Sequence, residues 1–148
     1  QMKYKGAKAL GSSFGQLMGK VLMQADRFHP IDLLIPLPLH HLRERSRGYN
    51  QAALLCEGME HVLKIPMDPT LIIRNKATAT QTHKSRSERW QTMQDTFQCT
   101  DPSRLKGLHV ALVDDVITTG STLEACGQDL IRSGAASLDI ITLAYTLR

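Results

Sequence analysis

Val110-Ala-Leu-Val-Asp-Asp-Val-Ile-Thr-Thr-Gly-Ser-Thr122 decides the reading of this chain, because it joins a buried strand, an acidic pair and a hydroxyl-rich turn without a break. Val110 to Val113 form an unbroken apolar run, which suits a parallel strand covered on both faces better than an edge strand open to water. The run stops at Asp114 and Asp115. Beyond them, Thr118, Thr119, Gly120, Ser121 and Thr122 supply hydroxyls and backbone N–H groups able to wrap a phosphate, and Gly120 lacks a Cβ that would obstruct the approach. A helix starting near Ser121 or Thr122 directs its positive end at the same anion. Strand, acids and anion cradle in this order are what binding of a phosphorylated sugar requires. The plainer alternative is a strand-to-helix turn in which one Asp merely caps a backbone group. A Walker A loop is excluded, since no Gly-Lys-Ser/Thr occurs.

Composition bounds the rest. With 148 residues, 42% of them hydrophobic, the chain has the size of one compact domain, 1–148, with a real core. The formal charge is +4, from 18 basic against 14 acidic residues, and much of the excess sits in Arg43 to Arg47 and Lys84 to Arg89. Negatively charged partners such as phosphates or nucleic acid follow from that balance. No apolar run approaches a membrane span and the first residues lack the order of a signal peptide, so a cytoplasmic protein without membrane contact is expected. Cys56, Cys99 and Cys126 are odd in number and without a Cys-x-x-Cys, which is neither a disulfide framework nor a zinc site. The start at Gln1, almost directly into helix-like sequence, reads as a fragment or a trimmed piece of a longer chain.

Along the chain, Phe14, Leu17, Met18, Val21 and Leu22 fall at helical spacing and predict an amphipathic helix with these residues as its core face. Asp32 to Leu37 reads as a strand closed by Pro36 and Pro38, followed by a basic loop. Tyr49 to Leu63 is a second helix and Leu71 to Ile73 a second strand. Residues 74–107 are polar and weak in periodicity, a long excursion that reads as a flexible lid and connector. A strand from His109, a helix from Ser121 to about Arg132, a stop at Gly134 and a strand from Leu138 to Ala144 complete the order. This alternation predicts an α/β fold with a parallel sheet, helices on both faces, and ligands beyond the carboxyl ends of the strands.

The acidic pair and the Thr118–Thr122 loop resemble the phosphoribosyl pyrophosphate (PRPP) motif of type I phosphoribosyltransferases. That resemblance implies the type I fold with a hood or lid loop, with Asp114 and Asp115 facing the ribose 2′ and 3′ hydroxyls and the loop holding the 5-phosphate. A second block, Ile35 to Gln51, contains Pro36-Leu-Pro38, several basic residues and Arg47-Gly-Tyr-Asn-Gln51. It is similar, more specifically, to the ComF/GntX family of phosphoribosyltransferases, and more distantly to amidophosphoribosyltransferases. A third block, Arg74, Gln81, Ser85-Arg-Ser-Glu-Arg89 and Phe97, follows the same family's order. The resemblance implies substrate contacts from Pro38, Leu39, His40, Arg43, Arg47, Arg74 and Gln81, and catalytic roles for Asp114, Asp115, Arg86 and Arg89. It also implies Mg²⁺ brought by PRPP and touched by Asp114 and Asp115, with no metal held by the protein alone. The chain departs from the family in three places: it lacks a leading cysteine-rich zinc module, has Thr92 where Asn is common, and has no prolines in Ala77 to Thr80.

The implied activity is displacement of pyrophosphate from C1 of PRPP by an acceptor that the sequence does not name. Two rivals stand beside it: a non-catalytic PRPP-binding regulator, and a competence or DNA-uptake accessory. Aromatic residues are only 5% of the chain and no nucleic-acid motif occurs, which argues against nucleic acid as a direct ligand. A homodimer is among the partners expected. The arginines also fit a solvated basic face. His40, His41 and His83 receive no proton-transfer role, and Trp90 reads as a packing anchor.

Overall fold

The computed structural model describes residues 2–25, 30–75 and 96–147. Helix α1 (Met2–Gln24) leads to β1 (Leu33–Pro36), α2 (His41–Arg47), α3 (Gln51–Leu63), β2 (Ile72–Arg74), β3 (Phe97–Cys99), β4 (His109–Ile117), α4 (Ser121–Arg132) and β5 (Ser137–Tyr145). Strands β1, β4 and β5 form a parallel sheet with β4 in the centre. The apolar run therefore falls where both faces are covered, and Val110, Ala111, Leu112 and Val113 have no exposed surface. Side chains alternate along a strand. Val110 and Leu112 join the cluster beneath α4, with Leu123, Cys126 and Leu130, while Ala111 and Val113 join Leu55 and Met59 of α3. Helices do cover both faces, and each fully buried Leu or Val contributes about 1.5–3 kcal/mol.

Pro36 lies inside β1 opposite Val113 rather than beyond the strand's end. Leu34 N donates to Pro66 O, away from β4, and by the two-residue period the nitrogen of Pro36 faces the same outer side. Its missing N–H costs no bond to β4, and Leu37 N, one residue on, donates to Val113 O at 2.8 Å.

Three sequence expectations change. The strand at 72–74 does not join the parallel sheet; it pairs antiparallel with Phe97–Cys99 in a separate two-stranded sheet. Phe97 and Leu105, at the end of the 74–107 stretch, are buried in the α4-side core with Leu71 and Ile72, while residues 76–95 of the stretch read as a lid lie outside the described residues. The basic stretch after Pro38 is a short helix, α2, begun by the His40 ring accepting from Leu42 N and ended by Gly48 at φ 73. Finally, α1 presents a different face from the one its periodicity suggests. Met18 and Leu22 meet the core, but Phe14, Leu17 and Val21 are exposed. The packed face is built on Gly11, Gly15 and Gly19. A Cβ at Gly15 would lie 2.2 Å from Leu55 O, and one at Gly58 of α3 would lie 2.1 Å from Ser12 O. The two helices are thus in near-backbone contact, which only glycine permits.

Candidate functional site

Parallel strands that end together leave their carboxyl ends open between the following loops. Here β1 and β4 end beside a pocket of about 280 Å³ lined by Leu37, Pro38, Leu39, Arg43, Arg47, Gln51, Arg74, Asp114, Asp115, Thr118, Thr119, Gly120 and Thr122, among others. The first loop is held firmly. Asn50 donates through Nδ2 to Leu37 O at 3.0 Å while its Oδ1 caps α3 by accepting from Ala52 N at 2.9 Å. Arg47 is steered by a 2.8 Å bond from Nη1 to Gln51 Oε1. Arg74 comes from the end of β2 and lies 5.5 Å from the Phe97 ring centroid, a cation–π contact. Its Nε is buried without a hydrogen-bond partner among the described residues. Burial lowers the Arg74 pKa from its ordinary value, and the nearby positive charge of Arg43 adds to the effect.

The two acids line the same pocket as these arginines. Asp114 Oδ1 accepts from Asp115 N, and Asp115 Oδ1 accepts from Val116 N, both at 2.8 Å, so local backbone amides orient both carboxylates. Burial pushes the Asp114 carboxyl up to about 6; the N–H of Asp115 pulls it back down, and the Asp115 carboxylate adds to the rise. Past the acids, Thr118 to Gly120 turns into α4. Gly120 adopts φ 80, and α4 has no side-chain cap there. A Cβ at Gly120 would find its nearest neighbour, Ile117 Cδ1, at 3.6 Å. The turn's left-handed backbone, rather than lack of space, is what asks for glycine.

Of the residues expected from sequence, Pro38, Leu39, Arg43, Arg47, Arg74, Asp114, Asp115, Thr118, Thr119, Gly120 and Thr122 converge on this pocket. His40 is placed at the N-terminus of α2 as its cap, and the Ser121 hydroxyl lies 3.0 Å from Thr119 Oγ1 at the rim. Gln81, Arg86 and Arg89 lie outside the described residues, as do His83, Trp90 and Thr92. Gln51 and Asn50 were not singled out as site residues. Their signal was present, as a helix-capping Asn at the close of the Arg-Gly-Tyr-Asn-Gln block.

The family profile of the phosphoribosyl transferase domain matches residues 50–148. The chain belongs to the phosphoribosyl transferase family. This phosphoribosyl transferase domain is 35% identical to the DNA utilization protein YhgH of Salmonella typhi over 99% of its own length and 65% of that protein's. It is 34% identical to Competence protein F of Haemophilus influenzae, covering 97% of itself and 65% of the relative. The chain therefore spans about 65% of the length of these relatives. Their names bear out the ComF-type resemblance read from residues 35–51. In fold, the domain is similar to a glutamine PRPP amidotransferase from B. subtilis solved with ADP and GMP, with a TM-score of 0.65 and 16% identity over 92% of this chain and 26% of that one. The α/β fold of the transferases is thereby shown.

Proposed function

We propose that this domain binds PRPP with Mg²⁺ and transfers its 5-phosphoribosyl group to an acceptor, releasing pyrophosphate. The observation that carries the reading is the make-up of one pocket: Arg43, Arg47 and Arg74, the carboxylates Asp114 and Asp115, and Thr118, Thr119, Gly120 and Thr122 all line the same space. Breaking the C1–O bond leaves positive charge on the ribose ring and negative charge on the departing diphosphate. A site that answers both needs groups of both signs. The arginines suit the diphosphate, the carboxylates suit the ribose hydroxyls and the cationic ring, and the turn with the α4 N-terminus suits the 5-phosphate.

Among the described residues no group of three or more His, Cys, Asp or Glu is arranged to hold a metal. The adjacent Asp114 and Asp115 nevertheless fit the one or two carboxylates Mg²⁺ takes from a protein when substrate phosphates supply the remaining oxygens. When bound with PRPP, the ion would neutralise charge on the diphosphate. The chain's own contribution is to fix the ribose between the acids and the 118–122 turn and to hold the leaving group against the arginines.

A second reading is a PRPP-binding accessory in DNA uptake without turnover, favoured by the names of the relatives. No helix among the described residues is long and apolar enough to cross a membrane. The proposal includes a cytoplasmic location and a homodimeric assembly. Incubation with Mg²⁺, PRPP and a panel of nucleobases, ammonia and small amines, with pyrophosphate release as readout, separates the readings. A transferase releases pyrophosphate faster with one acceptor than with water alone, because a positioned nucleophile is needed as well as a bound donor. Thermal stabilisation by PRPP without acceptor-dependent release supports the accessory, and indifference to PRPP sinks both.

A further inference from the structure

Strand β5 is the last of the parallel sheet, and its outer edge has no partner strand among the described residues. Ala136 N and Thr146 N, just outside its two ends, donate to Leu108 O and Ile117 O, towards β4. By the two-residue period the even-numbered N–H and C=O groups of β5 point at β4, and those of Asp139, Ile141 and Leu143 point outward. Exposed edges are normally blunted by proline, lysine or a bulge. Ser137-Leu-Asp-Ile-Ile-Thr-Leu-Ala-Tyr145 contains no proline, lysine or glycine, and its one charge, Asp139, is held at 2.9 Å by His109 of β4. A groove of about 550 Å³ is lined by this strand and α4. Leu123, Ile131, Leu138 and Ile140 give it apolar walls, and Ile131 and Ile140 are 45% and 47% exposed. By alternation Leu143 and Tyr145 lie on the other face of the edge, and both are exposed as well.

We propose that this edge joins two copies of the chain, by antiparallel pairing of β5 with the partner's β5 into one continuous sheet. The helix above the edge argues for a second copy rather than a foreign strand. Glu124, Gln128 and Arg132 follow one another a turn apart along α4, and all three line the groove. A two-fold axis beside Gln128 reverses the helix, so Glu124 faces the partner's Arg132 and Arg132 faces the partner's Glu124. Isologous contacts require this self-complementarity. Both charges are available: Glu124 is exposed, and Arg132 is 52% exposed with only a 3.6 Å contact to Asp129 on its own helix. Ile140 lines the same groove, and an axis that also passes Ile140 sets it against the partner's Ile140 as a non-hydrogen-bonded pair, while Asp139 exchanges N–H and C=O bonds with the partner's Ile141. The nine residues of β5 make an edge about 30 Å long, and one helix layer over the sheet brings its depth to about 20 Å. That is about 600 Å² per copy and about 1,200 Å² in all, the lower bound for a specific interface. The inference is independent of the PRPP reading, and it gives the homodimer included there a surface that uses none of the site's acids or arginines.

Sedimentation equilibrium of the full chain measures the dimer Kd. The wild type is expected to dimerise at about 1–10 μM, the weak end of the range for a standard interface. Glu124→Arg sets Arg against Arg and Arg132→Glu sets Glu against Glu, each at both symmetry-related contacts, and each is expected to weaken self-association at least about tenfold. An equimolar mixture of the two variants restores both opposite-sign contacts in a heterodimer and is expected to associate within about threefold of wild type. Misfolded variants could not rescue one another, so the mixture separates a lost contact from a lost fold. Ile140→Lys, which brings two like charges together at the axis, is expected to stay monomeric at about 100 μM. A wild type still monomeric at about 200 μM, far above the expected Kd, overturns the proposal and leaves the edge to a strand of another protein. A dimer unmoved by all three variants, or a mixture that associates no better than its components, overturns it as well. Thermal stabilisation by PRPP with Mg²⁺, followed on the same samples, is expected to persist in every variant. Its absence from the wild type removes the proposed function and leaves the interface standing.

Discussion

Asp114→Asn should stabilise the empty domain near neutral pH while abolishing its response to PRPP. The Asp114 carboxyl is half-buried at the mouth of the pocket, and burial raises it from 3.8 to about 6. The folded state therefore holds this proton more tightly than the unfolded chain, and the folded state binds more protons between those values. Stability attributable to the group is full below about pH 4, falls as pH rises from 3.8 to about 6, and stays reduced above that. At full strength the displacement is worth about 3 kcal/mol. The carboxyl is only half-buried, and solvent screening reduces the figure to about 1 kcal/mol. Asn keeps the shape and can still accept from Asp115 N, but carries no charge.

Thermal unfolding of wild type and Asp114→Asn at pH 4 and pH 7.5 measures this directly. For a chain of this length, about 1 kcal/mol moves the midpoint by roughly 3 °C, so the variant should melt about 3 °C higher at pH 7.5 and level with wild type at pH 4. Adding PRPP with Mg²⁺ should reverse the order at pH 7.5, because a ligand at one hundred times its Kd adds about 2.7 kcal/mol to wild type alone. A variant less stable at pH 7.5, or displaced equally at both pH values, would refute the claim that the acid is held in the pocket at a cost to the fold.

Other consequences are open to the same tools. Gly58→Ala drives a methyl onto Ser12 O and should cost about 1–3 kcal/mol in urea unfolding, whereas Gly6→Ala, with nothing within 4 Å, should stabilise α1 by up to about 1 kcal/mol. Arg74→Leu should weaken PRPP and pyrophosphate about tenfold and ribose 5-phosphate much less, since only the first two carry the diphosphate; equal losses for all three by calorimetry would mark a general charge effect. Gly120→Ala and Gly107→Ala both strain a left-handed residue, at φ 80 and φ 76, and should lose similar stability, about 1 kcal/mol each. Only the Gly120 variant should also lose PRPP binding.

The elements that could be read from sequence are those whose surroundings are uniform. Strand β4 is legible from its apolar run, Val110 to Val113, because that run lies in the centre of a parallel sheet, and Gly120-Ser-Thr announces the helix start; the acids do not end the strand, which pairs on to Ile117. The acids, the 118–122 turn, Pro38, Leu39 and three arginines come together as the blocks suggested. The pairing of β2 with β3 was not legible: each strand has three residues, too few for a period, and their contact spans more than twenty intervening positions. Helix α2 was hidden because so short and charged a helix shows no core stripe. The failure at α1 is of another kind. Periodicity marks where apolar side chains align, and it cannot say which of two candidate faces is covered. Gly11, Gly15 and Gly19 won the packed face by letting α1 approach α3 more closely than leucines allow. The stripe of Leu10, Phe14, Leu17 and Val21 was left outside. Water-exposed apolar surface opposes solubility unless something covers it. Phe14, which the periodicity assigned to the core, instead borders a crevice beside Asp115 together with Leu10, so the glycine-built packing of α1 leaves an apolar edge next to the acids.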